Sequence, residues 1–176
     1  MLTRRNALLA GLAFTAATSA TSLARATAPL HRTLRFHNLH TGETLDAEYW
    51  TNGTYAPDAL SAINHILRDH RTGESTGIDT RLLDLLSDLS GQLETRAPFQ
   101  IISGYRSPAT NAALADASNG VARRSLHVEG KAIDIAIEGV DTENIQQAAL
   151  AMARGGVGHY PNPGFVHVDV GRVRRW

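Results

Sequence analysis

Seventeen Lys and Arg offset seventeen Asp and Glu across 176 residues, so no bulk positive charge marks a nucleic-acid or anionic-membrane surface. The chain has no cysteine, which excludes a disulfide framework and the lipid-attachment residue of a bacterial lipoprotein.

At the start, Thr3-Arg4-Arg5-Asn6 precedes an apolar run from Ala7 to about Thr18, and Ala24-Arg25-Ala26 supplies the small residues of a cleavage site. The run falls short of the ~20 apolar residues that span a bilayer. Residues 1–26 are therefore expected to be an export signal of the twin-arginine type, removed to leave a periplasmic protein without stable membrane insertion. Residues 27–176 then carry 14 basic and 17 acidic groups, a net of −3, in a length that suits one domain.

Thr33 to Trp50 has strand character interrupted by Thr41-Gly42, which predicts a hairpin, and Asn52-Gly53 marks the next turn. Pro57 and Asp58 open a helix whose apolar positions Leu60, Ile63, Ile66 and Leu67 predict an end near Arg71. A leucine stripe from Leu82 to Leu93 predicts a second helix over Asp79 to Leu93. Phe99 to Ser103 reads as a short buried strand delivering Gly104-Tyr105-Arg106-Ser107, and Pro108 opens a third helix running to Ala117.

Lys131 to Ile137 is the next strand. Ile133, Ile135 and Ile137 point to one face, while Asp134 stands between Ala132 and Ala136 on the other. A helix from Thr142 to about Arg154 is expected to stop at Gly155-Gly156. The last strand repeats the alternation, with Val166, Val168 and Val170 on one face and Phe165, His167 and Asp169 on the other. The predicted class is α+β, a small antiparallel β-sheet with helices packed on one face.

His127, Asp134 and His167 carry the chemistry. A His entering a strand, an Asp within it and a His on a neighbouring strand can converge on one ion, because adjacent strands lie only ~4.8 Å apart. Two imidazoles and a carboxylate suit a catalytic Zn2+ with one position open for water. Asp134 and His167 each interrupt a β-branched strand on matching faces, and burying either unpaired would cost several kcal/mol. A zinc hydrolase follows as the leading reading. The H-x-E of His127-Val128-Glu129 lacks the cysteines a zinc deaminase needs, and no H-E-x-x-H is present.

Ser125-x-His127-x-x-Gly130-x-Ala132-x-Asp134 with a late strand His resembles the metal motif of zinc D-Ala-D-Ala peptidases and hedgehog-type folds. More closely, Asn38 to Glu43, Ile102 to Ser107, Gly155 to Gly158 with Tyr160-Pro161, Phe165-Val166-His167 and a terminal Arg-x-Trp resemble the murein endopeptidase K family. The resemblance implies zinc-dependent cleavage of peptide cross-links in peptidoglycan during cell-wall remodelling. Peptide stems would be the partner, and His127, Asp134 and His167 the metal ligands. It also implies that Arg106 lies in the active site, stabilising an oxyanion or holding a substrate carboxylate.

The general base departs from the related pattern, because Gly164 and Phe165 stand where dipeptidases carry Glu or His. Asp169, on the His167 face, is expected to accept a water proton or to orient a ligand imidazole; Glu129 and His159 are weaker base candidates, expected mainly to be exposed surface groups. Ser125 either caps its loop, the favoured reading, or binds substrate; Arg172, Arg174 and Arg175 beside Trp176 are expected to form a solvated terminal face, the alternative being that they hold a glycan or stem carboxylate. A non-catalytic zinc module that binds cell wall, and a D,D- or L,D-carboxypeptidase acting on stems, remain open at this point.

Overall fold

The computed structural model describes residues 30–117 and 122–176; the expected export signal lies outside them. Among the described residues, no helix is long and apolar enough to cross a membrane.

β1 (His31–Asn38) and β2 (Thr44–Thr51) form the expected hairpin, and the short β3 (Thr54–Tyr55) pairs with β2. Asn38 secures its tip. The buried Asn38 side chain donates to Ile66 O at 2.9 Å and accepts from the His40 amide at 2.9 Å, while Gly42 takes the left-handed conformation with φ 72°.

α1 (Pro57–Ile66) stops five residues before the predicted end at Arg71. The reason lies in the segment that follows, which abandons helical bonding to brace the site. The Asp69 amide donates to Glu74 O, and Leu67 O receives the Tyr105 amide, both at 2.8 Å. Gly104 packs so closely on Leu67 that a side chain there would overlap the Leu67 carbonyl oxygen. Asp69 is buried and accepts from the Ser107 and Arg71 amides, both at 2.9 Å, fixing the loop that carries Arg106.

α2 (Thr80–Gln92) begins where Asp79 caps it, accepting from the Arg81 amide, and buries Leu82, Leu83, Leu85, Leu86 and Leu89. β4 (Phe99–Ser103) and α3 (Pro108–Ala117) occupy the predicted spans. A 3-10 turn at Leu126–Glu129 leads into β5 (Ala132–Ile137), and α4 (Thr142–Met152) ends with Ala153 left-handed at φ 51°, ahead of the glycine pair. Gly155 serves packing instead, since a Cβ there would overlap the backbone oxygen of Asp169.

Then come β6 (Gly156–Tyr160), β7 (Phe165–Asp169) and β8 (Arg174–Arg175). The fold is α+β as expected, but the sheet is larger and more mixed than the small antiparallel one predicted. Among the described residues, eight strands run in the order β3-β2-β1-β4-β5-β7-β6-β8, with β1·β4 and β6·β8 parallel. Leu34, Phe36, Ile101, Ile133, Ile135, Val166 and Val168 share one hydrophobic core with the α2 leucines. Along β5 and β7 that leaves the opposite face for polar groups, and Asp134 pairs directly with His167 across it.

Burial opposes ionisation of Asp69, yet hydrogen bonds from Thr110, Ser107 and Arg71 prevail and hold its pKa well below the usual carboxylate range. Asp69→Ala should lower the unfolding free energy by roughly 2–3 kcal/mol in urea titrations near neutral pH. A depressed folded pKa means that this contribution is complete above the unfolded value of ~4 and lost as pH falls through the folded one. Wild-type and variant stabilities should therefore converge in strong acid; a constant difference down to the lowest pH would contradict the charged role.

Candidate active site

The site starts from the turn before β5. Ser125 caps it, its hydroxyl accepting from the His127 amide at 3.4 Å, and Gly130 closes it at φ 65°, packed against Gly77. His127 is thereby held with Nδ1 donating to Gly104 O at 2.7 Å, which leaves the Nε2 lone pair facing Asp134 and His167.

His167 is oriented the same way from the other side. Its Nε2 donates to Asp169 Oδ2 at 3.1 Å, leaving Nδ1 turned inward, 2.8 Å from Asp134 Oδ1 and 3.2 Å from His127 Nε2. His127 Nε2 and Asp134 Oδ1 are also 3.2 Å apart. Tetrahedral zinc with bonds of ~2.0–2.1 Å separates its ligands by ~3.3 Å. The three donor atoms therefore fit one such ion with little movement, and all three residues are buried.

The three groups are electrostatically coupled. Burial opposes ionisation of Asp134, but the two imidazoles outweigh it and hold the carboxyl well below its usual range. Burial lowers the pKa of His127. For His167 burial acts the same way, but bonds to Asp134 and Asp169 overcome it and raise the pKa. Arg106 reaches the cluster from the β4–α3 loop, with Nη2 donating to Asp134 Oδ2 at 2.6 Å and Nε to Ser103 Oγ at 2.8 Å.

Asp169 is fully buried and has no free oxygen. Beyond His167, it accepts from the Gly156 and Gly171 amides at 2.9 and 2.8 Å and from Arg174 at 2.7 and 3.2 Å. These bonds outweigh burial and depress its pKa. Glu129 pairs with Lys131 at 2.7 Å, and the His159 ring meets Thr142 Oγ1 at 2.9 Å. None of these three lines the cleft over the cluster, a space of about 480 Å³ bordered by Arg106, Arg124, Ser125, Leu126 and an aromatic wall.

That wall escaped the sequence reading. Tyr160 and Phe165 stack at 4.5 Å, and Trp176 lies 5.2 Å from the His167 ring, with its Nε1 donating to Tyr160 Oη at 2.7 Å. Arg174, expected on a solvated face, instead bridges Asp169 and the Trp176 ring, 4.8 Å from its centroid. Only the small residues of Gly156-Val157-Gly158 before the last strand hinted at such close packing. Of the remaining histidines, His40 stacks on His70 at 3.7 Å and meets Ile102 O at 2.9 Å, which supports the β4 end rather than the cluster.

The buried His–Asp–His cluster at the foot of the cleft could hold a metal ion, an arrangement compatible with a metal-dependent hydrolase. The chain belongs to the peptidoglycan L,D-endopeptidase MepK family, whose model matches residues 26–176. Peptidoglycan L,D-endopeptidase MepK of Escherichia coli strain K12 is 45% identical over 174 residues, covering 98% of this chain and 96% of that protein. The namesake from Shigella flexneri matches equally, and a probable peptidoglycan L,D-endopeptidase MepK of Haemophilus influenzae is 39% identical over 155 residues, 88% of this chain and 83% of its own. No solved structure matches the chain.

A Cβ on Gly158 would lie 2.6 Å from the Trp176 indole. Gly158→Ala should therefore displace the ring. In a Trp50→Phe background, acrylamide quenching of Trp176 should rise while far-UV circular dichroism stays unchanged. Unaltered quenching would contradict the contact.

Proposed function

We propose that this chain hydrolyses peptide cross-links of peptidoglycan at a zinc ion held by His127 Nε2, the Asp134 carboxylate and His167 Nδ1. The observation that carries this reading is the convergence of three donor atoms whose outward partners, Gly104 O and Asp169, fix both imidazoles in the ligating tautomer. Zinc at such a site supplies Lewis acidity, lowering the pKa of a water towards ~7 and polarising a scissile carbonyl.

The protein's own groups do the rest. Arg106, fixed by Ser103 and Asp134, presents positive charge where the carbonyl oxygen of the tetrahedral centre becomes negative. Asp169 acts through His167 rather than on substrate, because its buried oxygens are already committed to two amides, an imidazole and a guanidinium. The Tyr160, Phe165 and Trp176 wall borders the cleft beside the cluster. The relatives' activity on peptidoglycan supports a periplasmic site of action, reached through the twin-arginine signal of residues 1–26.

His127→Ala, Asp134→Ala and His167→Ala should each lose zinc and abolish cleavage of cross-linked muropeptide dimers, read by metal analysis and product mass. Stoichiometric zinc in all three variants would sink the ligand set, whereas zinc and muropeptide binding without any turnover in the wild type would leave a cell-wall binding module.

Asp169→Asn separates two roles. As an orienting group its loss should weaken zinc affinity by ~10- to 100-fold. A general base would instead leave zinc bound and lower kcat by ~10²- to 10⁴-fold. For export, Arg4→Lys with Arg5→Lys should leave unprocessed protein in the cytoplasm by fractionation; normal processing would refute the twin-arginine route.

A further inference from the structure

The cleft is positively charged although the whole chain is balanced. Its lining carries three guanidinium groups, Arg106, Arg124 and Arg174, against the single carboxylate of Asp134. Two of them are committed, Arg106 to Asp134 at 2.6 Å and Arg174 to Asp169 at 2.7 Å. Arg124 makes no ion pair with a described residue, and residues 1–29 and 118–121 contain no Asp or Glu that could supply one. The nearby acids are also taken, Asp116 by Arg123 at 3.0 Å and Glu129 by Lys131 at 2.7 Å.

The position of Arg124 is tied to the chemistry. It immediately precedes Ser125, which caps the turn presenting His127, so its backbone is fixed to the same element as a proposed ligand. Its side chain is exposed and lines the same cleft as Tyr160, Phe165 and Trp176. An uncommitted guanidinium offers paired, permanently charged N–H donors that match a carboxylate.

We propose that Arg124 is a specificity-determining residue that binds a free carboxylate of the peptide stem beside the scissile amide, while the aliphatic part of the stem lies against the aromatic wall. The identity of the stem rests on the reaction proposed above; the demand for an anion comes from the cleft itself. Diaminopimelate, a diamino acid of peptidoglycan stems with two carboxyl groups, suits this site: where its amine forms the scissile amide, an ionised carboxyl remains on the same carbon. The surplus positive charge of the lining also favours approach of such an anion.

An enzyme–substrate cycle tests this. Cross-linked dimers with free or amidated diaminopimelate carboxyl groups are compared on wild type, Arg124→Ala and Arg124→Lys, following KM and kcat by product mass. Affinity for the same dimers is measured by calorimetry on metal-stripped protein, where turnover does not intervene. Arg124→Ala should raise KM and Kd for the free-acid dimer by about 10- to 100-fold. kcat should stay within about twofold, as for lost uniform binding. Arg124→Lys should recover part of the loss.

Amidation should cost the wild type a similar factor and cost Arg124→Ala nothing. An amidation penalty undiminished in Arg124→Ala, or an unchanged KM and Kd, overturns the proposal. A wild type that binds through Arg124 and the carboxylate without cleaving supports the carboxylate site and sinks the peptidase reading instead.

Discussion

The structure depends on a polar pair set into the middle of a sheet. Asp134 on β5 and His167 on β7 stand opposite each other in register, with His127 against both, and all three are shielded from water. Such groups are costly to bury alone, by several kcal/mol each. Their mutual bonds offset part of that cost, and a divalent cation would offset more. Much of the surrounding architecture serves to keep two imidazoles from turning.

Each imidazole is secured by a different device. His127 is held through backbone: Gly104 O takes its Nδ1 proton, Gly104 is pressed on Leu67, and the loop beyond is pinned by Asp69. His167 is held through side chains: Asp169 takes its Nε2 proton, Arg174 neutralises Asp169, and Trp176 packs beside the ring. The short β8 strand, pairing with β6, brings both Arg174 and Trp176 into place. The early truncation of α1 and the late strand thus support the same site from opposite ends of the chain.

Asp134 and His167 were legible in the sequence because strand alternation with period two places them on one face whatever the detailed fold. The α2 span was legible from its leucine stripe alone; the Asp79 cap emerged only with the fold. The end of α1 was not, since Leu67 continues the apolar pattern while Asp69 is claimed by an amide 38 residues away. β6 was hidden by two glycines, whose value lies in what packs on them rather than in strand propensity.

The role of Asp169 shows the same limit. Alternation put it on the correct face, but only the fold reveals that Gly156, Gly171 and Arg174 occupy its oxygens.

The ligating atoms provide the most direct test, because the hydrogen bonds fix which nitrogen of each imidazole faces inward. Crystals of the zinc-loaded protein, measured at the zinc absorption edge, would locate the ion by anomalous scattering. The ligand assignment predicts one ion bonded to His127 Nε2, an Asp134 oxygen and His167 Nδ1 at ~2.0–2.2 Å. An ion bound elsewhere, or bound to His167 through Nε2 with Asp169 displaced, would contradict it.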